Sequence, residues 1–311
     1  MGILKNLNPC TIIACCKAMI QKNIEKQRNK CLRKLKCNNI RQYFLSLDKS
    51  KQEPEIVQII DYFEKHSFSV FPYDFAEQYH AKQVDVFYDQ SCKMNYVLHH
   101  QKRLYFPKNR RNKSIQRYYN GLRIEQDIDS PHRYDTEEYT VKEGDVIADI
   151  GAAEGMWALN HVEKASKIFL FECEKKWVKA LEKTFEPWKE KVVFINKYVS
   201  NITKDSNITL DDFLNNKEIN FIKADIEGAE IQLLEGAAKI LSEQNNLKLL
   251  LCAYHRKEDA VILKQFLEEK GFTTQYSKGY MLFIYDNDLD RPYIRRGLIR
   301  ATKIKNTNYK G

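Results

Sequence analysis

Several acidic residues stand where an apolar run stops and a turn begins. In Asp149-Ile150-Gly151-Ala152-Ala153-Glu154-Gly155, a carboxylate and two glycines close the apolar run Val146 to Ile150. Gly151 permits a tight turn and close approach of a ligand to the backbone, and Gly155 lets the next helix start against the strand. Roughly twenty positions after a glycine turn, an acid at a strand end commonly accepts hydrogen bonds from ribose hydroxyls, and Glu172 fits that place. A carboxylate at Asp149 would favour a cationic ligand, such as one carrying an ammonium and a sulfonium. A dinucleotide site would instead need Gly-x-Gly-x-x-Gly, with backbone amides facing a pyrophosphate. This loop lacks the second close glycine and sets Glu154 where a pyrophosphate would be repelled. Further along, Asp225, Glu227 and Tyr254-His255-Arg256 follow two more apolar runs, so their side chains should converge on the same crevice.

The elements that must position these residues alternate. Apolar runs at Val146 to Ile150, Lys167 to Phe171, Val192 to Ile195, Phe221 to Ala224 and Leu247 to Cys252 read as buried strands. Helices are expected after Gly155, through Trp177, Leu181 and Phe185, at Ile231 to Leu241, and at Asp259 to Lys270, the last closed by Gly271. Strands alternating with helices imply a mainly parallel sheet covered on both faces. Thr273 to Tyr276 and Tyr280 to Tyr285 are expected to complete it as an antiparallel hairpin through Ser277-Lys278-Gly279. Before this block, residues 10 to 45 read as a basic helix, Glu55 to Glu64 as a short helix, and Val84 to Tyr88 and Tyr96 to Phe106 as strands. Four parts follow: a basic helical segment (1–45), a cap or substrate region (46–140), a catalytic domain (141–290) and a basic tail (291–311).

A longer motif sharpens the reading. Phe221-Ile222-Lys223-Ala224-Asp225-Ile226-Glu227-Gly228-Ala229-Glu230, taken with Asp149 to Gly155 and Leu210-Asp211-Asp212, closely resembles the FkbM-type methyltransferases. The resemblance covers roughly residues 140 to 255. It implies an α/β Rossmann-like class I methyltransferase fold, with a seven-stranded, mainly parallel sheet, a C-terminal antiparallel hairpin and an N-terminal α/β extension. It also implies S-adenosylmethionine as methyl donor, usually with O-methylation of a sugar or another small hydroxyl compound. The expected cofactor contacts are Asp149, Gly151, Ala152, Ala153, Glu154, Gly155, Glu172, Cys173, Asn196, Lys197 and Asp225. Cys173 stands where such proteins often have proline.

Methyl transfer from a sulfonium is an in-line displacement. It needs alignment of donor and acceptor, and removal of a proton if the nucleophile is a hydroxyl. Asp225 is assigned to the donor or acceptor-proton site, with Glu227 as a nearby polar or basic group. His255 is the expected general base, because histidine titrates near neutral pH. Tyr254, Arg256, His132, Arg133 and Tyr134 are the expected acceptor-side residues. Glu230 belongs to the first turn of the next helix, where a carboxylate complements the dipole. Lys223 is read as an ion-pair partner within its strand. Asp225, Glu227 and His255 could supply hard metal ligands, but the reaction does not require a metal and none is expected.

Composition limits the remaining choices. At 43% hydrophobic and 12% aromatic, the 311 residues can build a sizeable core and do not resemble a disordered chain. The net charge of +9 favours an anionic partner without choosing among acceptor, membrane surface and nucleic acid. A small-molecule or glycan acceptor, itself suited to being anionic, is the leading expectation. RNA methylation is the first alternative, suggested by the basic tail but without a recognisable RNA-binding motif. A non-catalytic binding module on the same fold is the second. The eight cysteines form no CxxC pair and no zinc-site spacing. The apolar Ile12 to Cys16 is too short to span a membrane. A cytoplasmic protein is therefore expected, with peripheral membrane contact through the basic helix and self-association both compatible with the sequence.

Overall fold

The computed structural model describes residues 9–284 and 291–303, with side chains from residue 24 onward. The chain divides into two compact units, Met1–Pro72 with Ile284–Tyr293, and Tyr73–Phe283 with Ile294–Gly311.

Among the described residues the first unit holds the α-helices α1 (Pro9–Leu45) and α2 (Pro54–Lys65). Pro54 opens α2 at a position whose backbone N–H would be unpaired anyway. Ile56, Ile59, Ile60 and Phe63 recur at helical spacing and are all buried. They pack under the C-terminal end of α1, where Ile40 and Phe44 are buried and the rings of Phe44 and Phe63 lie 5.7 Å apart.

The second unit begins with a small antiparallel sheet of β1 (Phe87–Asp89), β2 (Met94–His99) and β3 (Lys102–Tyr105). The single strand expected over Tyr96 to Phe106 is a hairpin instead. His100 and Gln101 take φ of 46° and 66°, which reverses the chain in two residues. Neither residue is a glycine, so the usual signal of such a turn was missing. Helix α3 (Asn112–Glu125) follows in a stretch that looked merely polar and aromatic. Its inner face is carried by Ile115 and Tyr119, both buried, at i and i+4.

Alternation then sets in: β4 (Val146–Ile150), α4 (Met156–His161), β5 (Lys167–Phe171), α5 (Lys175–Thr184) and β6 (Val192–Ile195). A short parallel pair, β7 (Tyr198–Val199) and β8 (Asn207–Ile208), leads to α6 (Leu210–Leu214). Then come β9 (Phe221–Ala224), α7 (Glu230–Glu235), α8 (Ala238–Glu243), β10 (Leu247–Cys252), α9 (Asp259–Glu269), β11 (Thr273–Tyr276), β12 (Met281–Leu282), β13 (Ile294–Arg295) and β14 (Leu298–Lys303). The one helix expected from Ile231 to Leu241 is two, because Gly236 lies against the backbone of Ser200. A Cβ there would come 2.0 Å from the Ser200 carbonyl oxygen.

The main sheet has seven strands in the order β11-β14-β10-β9-β4-β5-β6. β10, β9, β4, β5 and β6 are parallel neighbours, and β14 is antiparallel to both β10 and β11. The Rossmann-like sheet with an antiparallel close is therefore present, but one expected partner is wrong. Tyr276 leads not into a hairpin with Tyr280 to Tyr285 but to a partner some twenty residues later. That partner, Leu298–Lys303, lies within the stretch read as a basic tail. Its alternation of apolar and basic residues hid the fact that Leu298, Ile299, Arg300 and Ala301 are all buried. Residues 285–290 of the expected hairpin's surroundings lie outside the described residues.

Successive strand residues enter opposite cores, as a sheet covered on both faces requires. Ile147, Ile168 and Leu170 pack on one side with Trp157, Trp177 and the small sheet. Ala148, Ile150, Phe169 and Phe171 pack on the other with Leu214, Leu233 and Leu263.

Candidate active site at the carboxyl ends of the strands

From β4 the chain runs outward through β5 and β6, then returns to β9 and continues the other way through β10. The crevice beyond the carboxyl ends of β4 and β9 is therefore the switch point, where open α/β sheets bind ligands. A cavity of about 760 Å³ lies there. Its walls include Gly151 and Ala153 after β4, Glu172 and Cys173 after β5, Lys197 and Tyr198 after β6, and Asp225 and Glu227 after β9.

The first turn is shaped by Gly151, with φ 75°. A Cβ on it would stand 1.9 Å from the Asp225 carbonyl oxygen, so only glycine lets the two strand ends meet this closely. Glu172 braces the turn from the side. Its carboxylate accepts from the Ala153 amide at 2.8 Å and from the Glu174 amide at 2.6 Å. Asn196 lies one layer further out, its Nδ2 donating to the Glu172 carbonyl at 2.6 Å and the Cys173 carbonyl at 3.1 Å. Asn196 thus supports the wall that Glu172 and Cys173 form.

Asp149 does not line the cavity. It is buried beneath the turn and accepts from Lys223 Nζ at 2.9 Å, while the same ammonium donates to the Gly151 carbonyl at 3.1 Å. The expected ion pair of Lys223 within the strands is thus formed, and it welds β4 to β9 under the ligand's place. Glu154 and Ala152 are likewise buried below the surface of the turn. Glu154 accepts a 2.6 Å hydrogen bond from Tyr118 of α3, and burial pushes its carboxyl up from the ordinary value. Gly155 starts α4 with φ 81° against Leu181 and Phe185, and so serves packing.

Asp225 belongs both to the cavity and to a buried polar cluster behind it. Its Oδ2 accepts from Tyr134 at 3.0 Å and lies 3.9 Å from His132 Nε2. Its Oδ1 accepts from Tyr254 at 3.4 Å and lies 3.3 Å from His255 Nε2. Burial works to raise this carboxyl, but the His255 contact and the Lys223 charge outweigh it and hold Asp225 well below the usual range. His255 is held from its other side by Glu230, whose Oε1 is 3.2 Å from Nδ1 and also accepts from the Ile226 amide at 3.0 Å. Burial alone would lower the imidazole, yet its two carboxylate neighbours push it up to about 10. At neutral pH it is therefore an imidazolium. The general base expected at this position thus lies between two carboxylates that favour its protonated form. Glu230 is more than a helix-dipole residue, since it is buried and faces that charge.

His132 and Tyr134, expected on the acceptor side, lie in this cluster behind the cavity, with His132 also 3.6 Å from Cys252 Sγ. Burial pushes the His132 imidazole down to about 4. Arg133 and Arg256 do not join it. Arg133 donates to the carbonyls of Gln126 (2.6 Å) and Asp135 (2.9 Å), and Arg256 is exposed at the start of α9. Glu227 lines the cavity with its side chain in solvent, and its φ of 56° is a left-handed conformation uncommon outside glycine. Among the described residues two groups, His132/Asp225/Cys252 and Asp225/Glu230/His255, have metal-ligating atoms within 4.8 Å of one another. In the second group the two ring nitrogens of His255 face different carboxylates, which is the geometry of an ion-pair chain and not of ligands converging on one ion.

Three contributors were not foreseen. Tyr118 and Trp177 line the cavity, and Arg110 stacks over Tyr118 with its guanidinium carbon 4.2 Å from the ring centre. Glu125 is on the same face of α3 as Tyr118 and Leu122 by helical spacing, outside the cavity wall itself. Burial, then the charges of Asp225 and Glu154, push its carboxyl up to about 8. Neither Tyr118 nor Glu125 sits in a strand-end motif; the only available signal was the i, i+4, i+7 spacing of a helix that had not been recognised.

The sheet order, with a cavity at the switch point, defines a Rossmann-like α/β fold. The sequence profile of the methyltransferase FkbM domain family matches residues 177–274, so that stretch of the chain is similar to FkbM-type methyltransferase domains. No curated protein matches the chain. Among solved structures, the chain is similar to a methyltransferase FkbM from Methylobacillus flagellatus KT, at 15% identity and a TM-score of 0.44, over 80% of this chain and 62% of that one. The chain thus spans about three fifths of that structure's length. It is also similar to a precorrin-6y C5,15-methyltransferase from Geobacter metallireducens GS-15, at 15% identity and TM-score 0.36, over 52% of this chain and 81% of that one. An rRNA methylase from Streptococcus thermophilus matches at 14% identity and TM-score 0.37, over 53% of this chain and 90% of that one.

Proposed function

We propose that this chain transfers a methyl group from S-adenosylmethionine to a hydroxyl of a sugar, a glycan or another small molecule. The observation that carries this reading is Asp225, whose carboxylate belongs both to a nucleoside-sized cavity and to an enclosed cluster of hydrogen-bonding groups. The donor set fits S-adenosylmethionine. About 760 Å³ is ample for a nucleoside carrying an amino-acid arm. Glu172 has carboxylate lone pairs left for ribose hydroxyls, and Phe171, Val199 and Ile226 offer apolar wall to a base. Asp225 and Glu227 supply negative charge for an ammonium and a sulfonium. When bound, S-adenosylmethionine supplies an electrophilic methyl carbon.

The chain's own residues then have three tasks. The Asp149–Lys223 pair and the Glu172 carboxylate fix the turn at Gly151 to Ala153, because misplacement by about 1 Å can cost a hundredfold in rate. His255, held as imidazolium by Glu230, with the Tyr134 and Tyr254 hydroxyls, keeps Asp225 ionised and aimed at the cavity. A hydroxyl nucleophile must also lose a proton. Asp225 is too acidic to take it, and His255 already holds one. Glu227, the other Asp225-side carboxylate in the cavity wall and open to solvent, is assigned as proton acceptor.

The test is an acceptor screen with methyl-labelled S-adenosylmethionine over sugars, glycans and other hydroxylated small molecules, with RNA alongside. Methyl ethers on the small-molecule acceptors are expected. Label entering RNA alone would overturn the acceptor class while leaving the donor site intact.

A further inference from the structure

Helix α1 is much longer than the part of it that is packed. Its first buried described residue from the N-terminal side is Ile40, and every residue from 24 to 35 is exposed. At 1.5 Å per residue this is roughly 18 Å of helix along which no described side chain is buried. Such a stretch is marginal in water on propensity alone. Its charges weaken it further. Lys26, Arg28, Lys30 and Lys34 stand beside the lone acid Glu25, and Lys26–Lys30 and Lys30–Lys34 are like-charge pairs at i, i+4. Ile24, Cys31 and Leu35 follow one another at i, i+7, i+11, which places them along one side of the helix. Ile24 and Leu35 are 56% and 57% exposed.

We propose that this stretch of α1 is a docking surface for an anionic lipid bilayer, lying along the headgroup plane. The like-charge pairs are relieved by a negative surface, and the apolar row enters the headgroup boundary while the lysine stems reach outward. A second copy of the helix would match the apolar row but would bring two basic stretches together. Nucleic acid would match the charge but would leave Ile24 and Leu35 in water. No helix among the described residues is long and apolar enough to cross a membrane, so the contact is with the surface.

The experiment is co-sedimentation of the full chain with phosphatidylcholine vesicles, with and without about one-third phosphatidylserine, at low and high salt. Binding to the phosphatidylserine vesicles that weakens at high salt is expected. Each lysine neutralised near such a surface costs roughly fivefold, so Lys26→Gln/Lys30→Gln/Lys34→Gln should lose roughly a hundredfold. Ile24→Ser/Leu35→Ser should also lose affinity at unchanged charge. All these positions are exposed, and an unchanged thermal unfolding midpoint verifies the fold. Absence of binding, equal binding to both vesicle types, or wild-type binding by the triple lysine variant would overturn the proposal. So would tighter binding to RNA than to the vesicles, indifferent to the Ile24 and Leu35 changes.

Discussion

Asp225 and Asp149 are two carboxylates at neighbouring strand ends, yet they have different work. Asp149 is sealed beneath the turn with Lys223, and Asp225 opens on the cavity. Removing one member of a buried pair leaves an uncompensated charge, so Asp149→Ala should lose about 3–5 kcal/mol of stability. Chemical denaturation would show this as a lower midpoint at unchanged slope. A second prediction concerns His255. Its imidazole is raised from 6.5 to about 10 in the folded chain, so its contribution is fully present below pH 6.5 and fades as pH rises toward 10. Unfolding midpoints should fall across that window, and His255→Ala should flatten the fall. A third concerns Glu125. Burial raises its carboxyl from 4.5 to about 8 in the folded chain, so it lowers stability as pH rises through that window, and Glu125→Gln should flatten that part of the fall in unfolding midpoint. The motif residues were legible because each closes an apolar run. What they do once buried was not, because Asp149 and His255 take their roles from Lys223 and Glu230, partners brought by other elements.

At the scale of elements, the parallel strands declared themselves as continuous apolar runs bounded by glycine or acid. β14 did not, because Arg300 and Lys303 interrupt its apolar residues. Arg300 is nonetheless buried, donating to the backbone carbonyls of Arg133 and Tyr134. This strand lies between β10 and β11, so a chain cut after Tyr293 should show no cooperative thermal unfolding. A cooperative transition near that of the full chain would mean that the segment is indeed a tail. α3 was hidden for a different reason: tyrosines form much of its inner face, and a hydrophobicity pattern counts them weakly. Gly151 was legible as a turn, and the structure adds why no other residue serves. Gly151→Ala should disrupt the Asp225 side of the cavity, seen as lost ligand affinity greater than the loss of stability.

For the molecule as a whole, the order of the five parallel strands follows from alternation and connection rules that a sequence can carry, and the place of β14 does not. The division into two units, with residues 284–293 returning to the first, does not follow, since it pairs segments more than two hundred positions apart. The net charge of +9 could not choose a partner, and only the exposed basic stretch of α1 gives part of it a place. The central claim is the identity of the ligand at the switch point. Its most direct test is calorimetric titration of the full chain with S-adenosylmethionine, repeated with Glu172→Ala. Saturable binding to the wild type, weakened about tenfold or more in the variant by loss of the acid at the ribose, is predicted. No binding of S-adenosylmethionine, with binding of a nicotinamide dinucleotide in its place, would contradict it.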